Sequence, residues 1–325
     1  MTETPFDACW DRLGRADSHR GTISTIWNDY IEGDPFDFDL THVGDGVHIL
    51  RVRQSAAIPP EFALVLGEWL YNIRACLDYI VWAASAHQTR RLPPPDQGTL
   101  QYPIYDHADA WDRNLYRLKH LADHHRDMLH RMQPFNSNPD ANYLAIINRL
   151  ARTDRHRRLT VTTGHIAEMG PVIQVPAGCQ ATLEWGERIL VGGEALMARI
   201  SVTPWEDGHE VWINPRSGID LDVAEWAASP FWRPIRLPER MAMVQVFVKA
   251  EIATYEYDCT RQSRGEELLS DDYRQACDQR THPGPIVYAA RPQPEWATAE
   301  DGRPSTQDRF AGDDFPTGAA PRRGG

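Results

Sequence analysis

The chain has 325 residues, 42% hydrophobic and 25% charged, with a formal net charge of −12. That length holds one large domain or two modest ones. The acidic total speaks against a protein that coats nucleic acid over its whole surface, though it leaves room for a local basic groove.

Five cysteines stand at long spacings with no C-x-x-C pair, which argues against a disulfide scaffold and a structural zinc site. No stretch of about 18 apolar residues occurs and no apolar run follows a basic start. The expected location is the cytoplasm, with no membrane contact.

Taken in chain order, residues 1–55 predict a short helical start and one strand, "GVHILRVRQSA". "IPPEF" then breaks the chain and opens a helix, with Pro60 in its first turn. "EFALVLGEWLYNIRACLDYIVWAASAH" is the clearest helix of the sequence. The stretch from "PIYDHADAW" to "RMQPF" reads as a loop and a second long helix closed by Pro134. "SNPDANYLAIINRLARTDRHRRL" is a third helix, opened by an Asn/Asp cap cluster.

After residue 159 the texture changes to short β-branched runs between Gly, Pro and charged turns, from "LTVTTG" to "EVWI". They predict a meander of antiparallel strands. "LPERMAMVQVFVKAEIATYEYD" places Met241, Val244, Val248 and Ile252 at helical spacing and closes this part with a helix. Tryptophans 185, 205, 212, 226 and 232 are expected in its core. The expected fold class is α+β: an N-terminal helix and strand segment over 1–55, a helical bundle over 56–160, a β-rich antiparallel part over 161–260, and a disordered tail over 280–325.

Two helices carry polar residues in unusual places. At about 100° per residue, Leu66, Leu70, Ile73, Leu77, Ile80 and Ala84 form one face of the first long helix. The opposite face mixes Glu68, Arg74 and Asp78 with Tyr71, Ala75 and Trp82. A helix that is apolar nearly all round is buried, so Arg74 and Asp78 are expected as a partly buried i,i+4 pair. A desolvated guanidinium needs further acceptors. On the third helix Asp154 falls among Tyr143, Ile147, Leu150 and Ala151, where it is expected to answer Arg74.

Arg149, Arg152 and His156 fall on the other side of that third helix. His suits proton transfer near neutral pH, and Arg suits a phosphate's charge. Metal-independent RNA cleavage needs little more, because the 2′-hydroxyl is the nucleophile. A basic helix end that complements the macrodipole is the plainer alternative. Arg149 and His156 are the expected catalytic pair, with Arg152, Arg155 and Arg157 as binding residues. No cofactor is implied.

"LGEWLYNIRACLDYIVWAAS", then "YPIYD", "RMQPF" and "NRLARTDRHRRL" resemble a widespread family of uncharacterised bacterial proteins with L-G-D-x-L-H-N-L-R-S-A-L-D-H-L, F-P-I, L-Q-P and D-K-H-R motifs. The resemblance covers roughly residues 25 to 160. It implies Asn72, Arg74, Asp78, Asp154, His156 and Arg157 as shared polar positions. Here Trp69-Leu70-Tyr71 stands where that family carries a His before the Asn. Arg149 and His156, with six residues between them, also resemble the R-x(4–6)-H motif of HEPN domains. That resemblance implies binding or cleavage of RNA, in stress or phage defence, with RNA as partner and a homodimer as a possible assembly.

Two alternatives remain. Asn72, Arg74, Asp78 and Asp154 can form a structural cluster in a non-catalytic binding or scaffold protein. His120 and His124, at i and i+4, can give a helical bundle two metal ligands.

Overall fold

The computed structural model describes residues 4–167, 172–186, 190, 193–214 and 218–280. The fold is α+β, with helices packed into a bundle and strands that pair antiparallel. The expected tail lies almost wholly outside the described residues. Among those residues no helix is long and apolar enough to cross a membrane.

The chain begins with α1 (Asp7–Glu32), a helix of 26 residues rather than a short start. Its inner face is Cys9, Ala16, Ile23 and Tyr30, one residue every two turns and two of them small. Strands β1 (Phe36–Gly44) and β2 (Val47–Gln54) form a hairpin. At its tip Asp45 and Gly46 both have positive φ, the backbone that a tight two-residue hairpin turn demands.

Helix α2 (Pro60–Thr89) runs through the centre of the bundle. Its second half, from Ala83 to His87, is buried on every side. Helices α1, α5 (Tyr143–His156) and α7 (Leu237–Thr260) pack around it. Trp69 of α2 stacks on Trp226 at 6.2 Å between ring centroids, and both are 1% exposed. Burying side chains of this size stabilises the fold by about 3 kcal/mol each.

The second long helix of the sequence reading is broken. It divides into α3 (Ala108–Asn114), a 3-10 segment and α4 (Asp123–Arg131). Between them Lys119 and His120 both reach Asp96, at 2.7 and 2.9 Å. Leu118 and Leu121 turn inward, 2% and 3% exposed. These tertiary ties override local helical preference.

The strands do not form a meander. Strands β3 (Val161–Ala167), β4 (Val172–Gln174), β5 (Gln180–Trp185), β6 (Glu194–Thr203), β7 (Trp212–Asn214) and β8 (Gly218–Val223) nest instead. Strand β3 pairs with β8, β4 with β7, and β5 with β6. Strand β2 adds to β6, giving the sheet order β1-β2-β6-β5. The N-terminal hairpin therefore shares one sheet with β5 and β6, while β3–β8 and β4–β7 are separate two-stranded ribbons. The expected strand "RILVGGE" lies largely outside the described residues. Trp226 and Trp232 are core, whereas Trp185 and Trp212 are 36% and 52% exposed.

After β8 come α6 (Ala224–Ala227) and α7, whose Met241, Val244, Val248 and Ile252 are all buried, as their spacing predicts. Arg240 of α7 and Asp222 of β8 form a buried two-pronged ion pair at 2.6 and 3.1 Å. Carbonyls of Ile235 and Arg233 accept two further donors of Arg240. A short α8 (Asp271–Asp278) ends the described chain.

Candidate functional site on helix five

Asn142 caps α5 by accepting from the Ala145 amide at 2.9 Å. Leu144, Ile146, Ile147 and Leu150 then bury one side of the helix. Arg149, Arg152 and His156 follow one another at spacings of three and four, so they share the opposite side. They line an open groove of about 520 Å³, together with Asp106, Asp140 and Arg157.

His156 and Arg152 are exposed, and no described side chain pairs with either. Arg149 stands 4.0 Å from Asp140, at the limit of an ion pair. Exposed pairs of this kind contribute little, so its guanidinium is available to another anion. Arg157 lies beyond the helix end in extended backbone and is held by Glu225 at 2.9 Å. It lines the groove with its charge paired to Glu225.

Arg155 is on the other side of α5. It lines a second cavity of about 390 Å³ with Arg74, Asp78 and Asp154, and with Tyr71 and Tyr105. Asn148 touches both cavities, so they adjoin across α5.

Arg74 and Asp78 form the expected half-buried pair at 2.6 Å, with side chains 18% and 30% exposed. Arg74's further acceptor is the Tyr102 carbonyl at 2.8 Å, not Asp154. The Tyr102 amide donates to Asp78 at 2.9 Å, so one backbone residue clamps both charges. Burial raises the Asp78 carboxyl above its usual range, against the pull of Arg74 and the Tyr102 amide.

Asp154 points at α2 as the helical wheel implies, but it meets Gly67, two turns before Arg74. No described group gives it a hydrogen bond or ion pair, and burial raises its carboxyl. Asn72 leaves the expected cluster altogether. Two positions from Arg74, it faces α1 and accepts from Arg12 at 3.1 Å. Arg74, Asp78 and Asp154 thus share one cavity without a common hydrogen-bond network, and Asn72 lies outside it. Arg240 and Asp222 form a fully buried polar pair that the sequence reading missed. Those two residues are distant in any local pattern.

The alternative metal pair is not assembled. His120 precedes α4 and bonds Asp96, while His124 lies in the first turn of α4 and bonds Asp258 at 2.5 Å. The i,i+4 spacing fails because the helix does not extend back to His120. His125 and Asp258 escaped the sequence reading, as α4 and α7 meet only in three dimensions.

No family model matches this chain, and no curated protein or solved structure matches it significantly.

Proposed function

We propose that the chain binds single-stranded RNA along the α5 groove and cleaves it there without a metal ion. The observation that carries this reading is the shared groove of Arg149, Arg152 and His156, in which His156 is exposed and unpartnered. Arginines track phosphates, and an imidazole moves protons near neutral pH. The adjoining cavity adds Tyr71 and Tyr105, faces on which bases stack in single-strand binders. The resemblance to HEPN domains supports the same chemistry.

In the proposed step His156 takes the proton of a 2′-hydroxyl. The O2′–P bond forms, the P–O5′ bond breaks, and water protonates the leaving oxygen. Arg149 stabilises the charge on the phosphorane oxygens. The products are a 2′,3′-cyclic phosphate and a 5′-hydroxyl.

Binding is tested by fluorescence anisotropy of a single-stranded RNA across a salt series. Removing one phosphate contact with Arg152→Ala should lower the slope of log affinity against log salt by roughly 0.7. An unchanged slope would contradict the groove assignment.

A second reading, binding without cleavage, has its own support. His156 is the one imidazole lining the groove among the described residues, so a single ring faces both proton transfers.

A further inference from the structure

Helix α4 brings His124 and His125 against Asp258 of α7. The three offer donor atoms that all lie within 4.8 Å of one another. Adjacent residues on a helix point about 100° apart. Here both Nε2 atoms nonetheless converge on a single oxygen, Asp258 Oδ2, at 2.5 and 2.8 Å. The two rings are tilted by 52° with centroids 4.2 Å apart, so they flank one point without stacking.

Hydrogen bonding explains only part of this. His124 bonds Oδ2 in good geometry. His125 does not: its Nε2 is near the oxygen but off the line of a hydrogen bond, and its Nδ1 has no partner either. The residue is 3% exposed. A buried imidazole nitrogen with no bond costs on the order of 1–3 kcal/mol, and His125 Nδ1 is one. Its Nε2 is aimed at the point that His124 and Asp258 also face.

The carboxylate is turned for this purpose. Arg280 holds the other oxygen, Oδ1, at 2.7 Å, and Arg261 stands 3.6 Å from it. Hydrogen bonds to the non-ligating oxygen are how proteins orient a one-oxygen metal ligand. His124 has a side chain 38% exposed, so the fourth position faces solvent.

We propose that His124, His125 and Asp258 bind one divalent transition-metal ion of the zinc class. Two imidazole nitrogens, one carboxylate oxygen and one open position form a tetrahedral set that suits Zn²⁺ and accepts Co²⁺. The two guanidiniums and the N-terminus of α4 add positive charge nearby, which opposes cation binding. This site is separate from the α5 groove, whose proposed chemistry uses no metal.

The test uses the full chain, stripped with EDTA and dialysed. ZnCl2 is titrated by calorimetry and CoCl2 by visible absorption. The expected result is one Zn²⁺ per chain, with the d–d bands of low-coordinate Co²⁺. His124→Gln, at the more exposed ligand, should weaken binding at least about 10-fold while the metal-free variant keeps the wild-type circular dichroism spectrum. Arg280→Gln should also weaken binding, because it loosens the carboxylate that Arg280 orients. His120→Gln should change nothing. Absence of Zn²⁺ binding by the wild type, or equal binding by His124→Gln, would overturn the assignment.

Discussion

The Asp154 carboxylate rests against Gly67, where a Cβ would stand 2.8 and 2.9 Å from its two oxygens. Real Cβ atoms do not approach oxygen so closely, so an alanine there would force the Asp154 carboxylate to shift. Gly67→Ala should therefore destabilise the fold by about 1–3 kcal/mol, despite its better helix propensity. Removing the carboxylate as well, with Asp154→Ala, should recover most of that loss, because the two substitutions share one contact. Urea denaturation of the single and double variants checks this. Additive losses would contradict it.

The buried pair of Arg240 and Asp222 should behave differently from any surface ion pair. Arg240→Ala leaves Asp222 charged and desolvated, and about 3–5 kcal/mol should be lost. The double variant Arg240→Met, Asp222→Leu should be markedly less damaged, since no lone charge remains. Equal melting of the wild type and Arg240→Ala would refute the role.

Glu251 gives the fold a pH dependence. The Tyr102 hydroxyl donates to its carboxylate at 2.6 Å. Burial raises its pKa to about 7, although the bond from Tyr102 lowers it in part. An acid whose folded pKa is raised keeps its proton where the unfolded chain has lost it. Its stabilising contribution is then full below the unfolded value of about 4.5 and falls as pH rises to about 7. The fall amounts to roughly 3 kcal/mol. Glu251→Gln should flatten this slope in urea midpoints taken from pH 5 to 8. A variant that keeps the wild-type slope would rule Glu251 out as its source.

What could be read in the sequence follows the strength of local pattern. Helix α2 is apolar almost all round, and that alone announces a half-buried Arg74–Asp78 pair. The wheel of α5 likewise separates Asp154 from Arg149, Arg152 and His156. Helix α1 escapes because Cys9 and Ala16 carry its inner face, and small residues give little periodic signal. Strand β1 was legible but unread: Phe36, Phe38 and Leu40 alternate, and Asp45-Gly46 marks the hairpin. The acceptor for Arg74 is a main-chain carbonyl at Tyr102, which no side-chain pattern encodes. The nested strand pairs, Arg240 with Asp222, and His125 with Asp258 are all set by contacts distant along the chain.

Cleavage of a 5′-labelled single-stranded RNA in the presence of EDTA tests the proposed activity of the α5 groove most directly. The wild type should yield fragments ending in a 2′,3′-cyclic phosphate. His156→Ala and Arg149→Ala should each slow the reaction by about 100-fold or more, with urea midpoints unchanged. No cleavage by the wild type, or undiminished cleavage by either variant, would contradict the assignment.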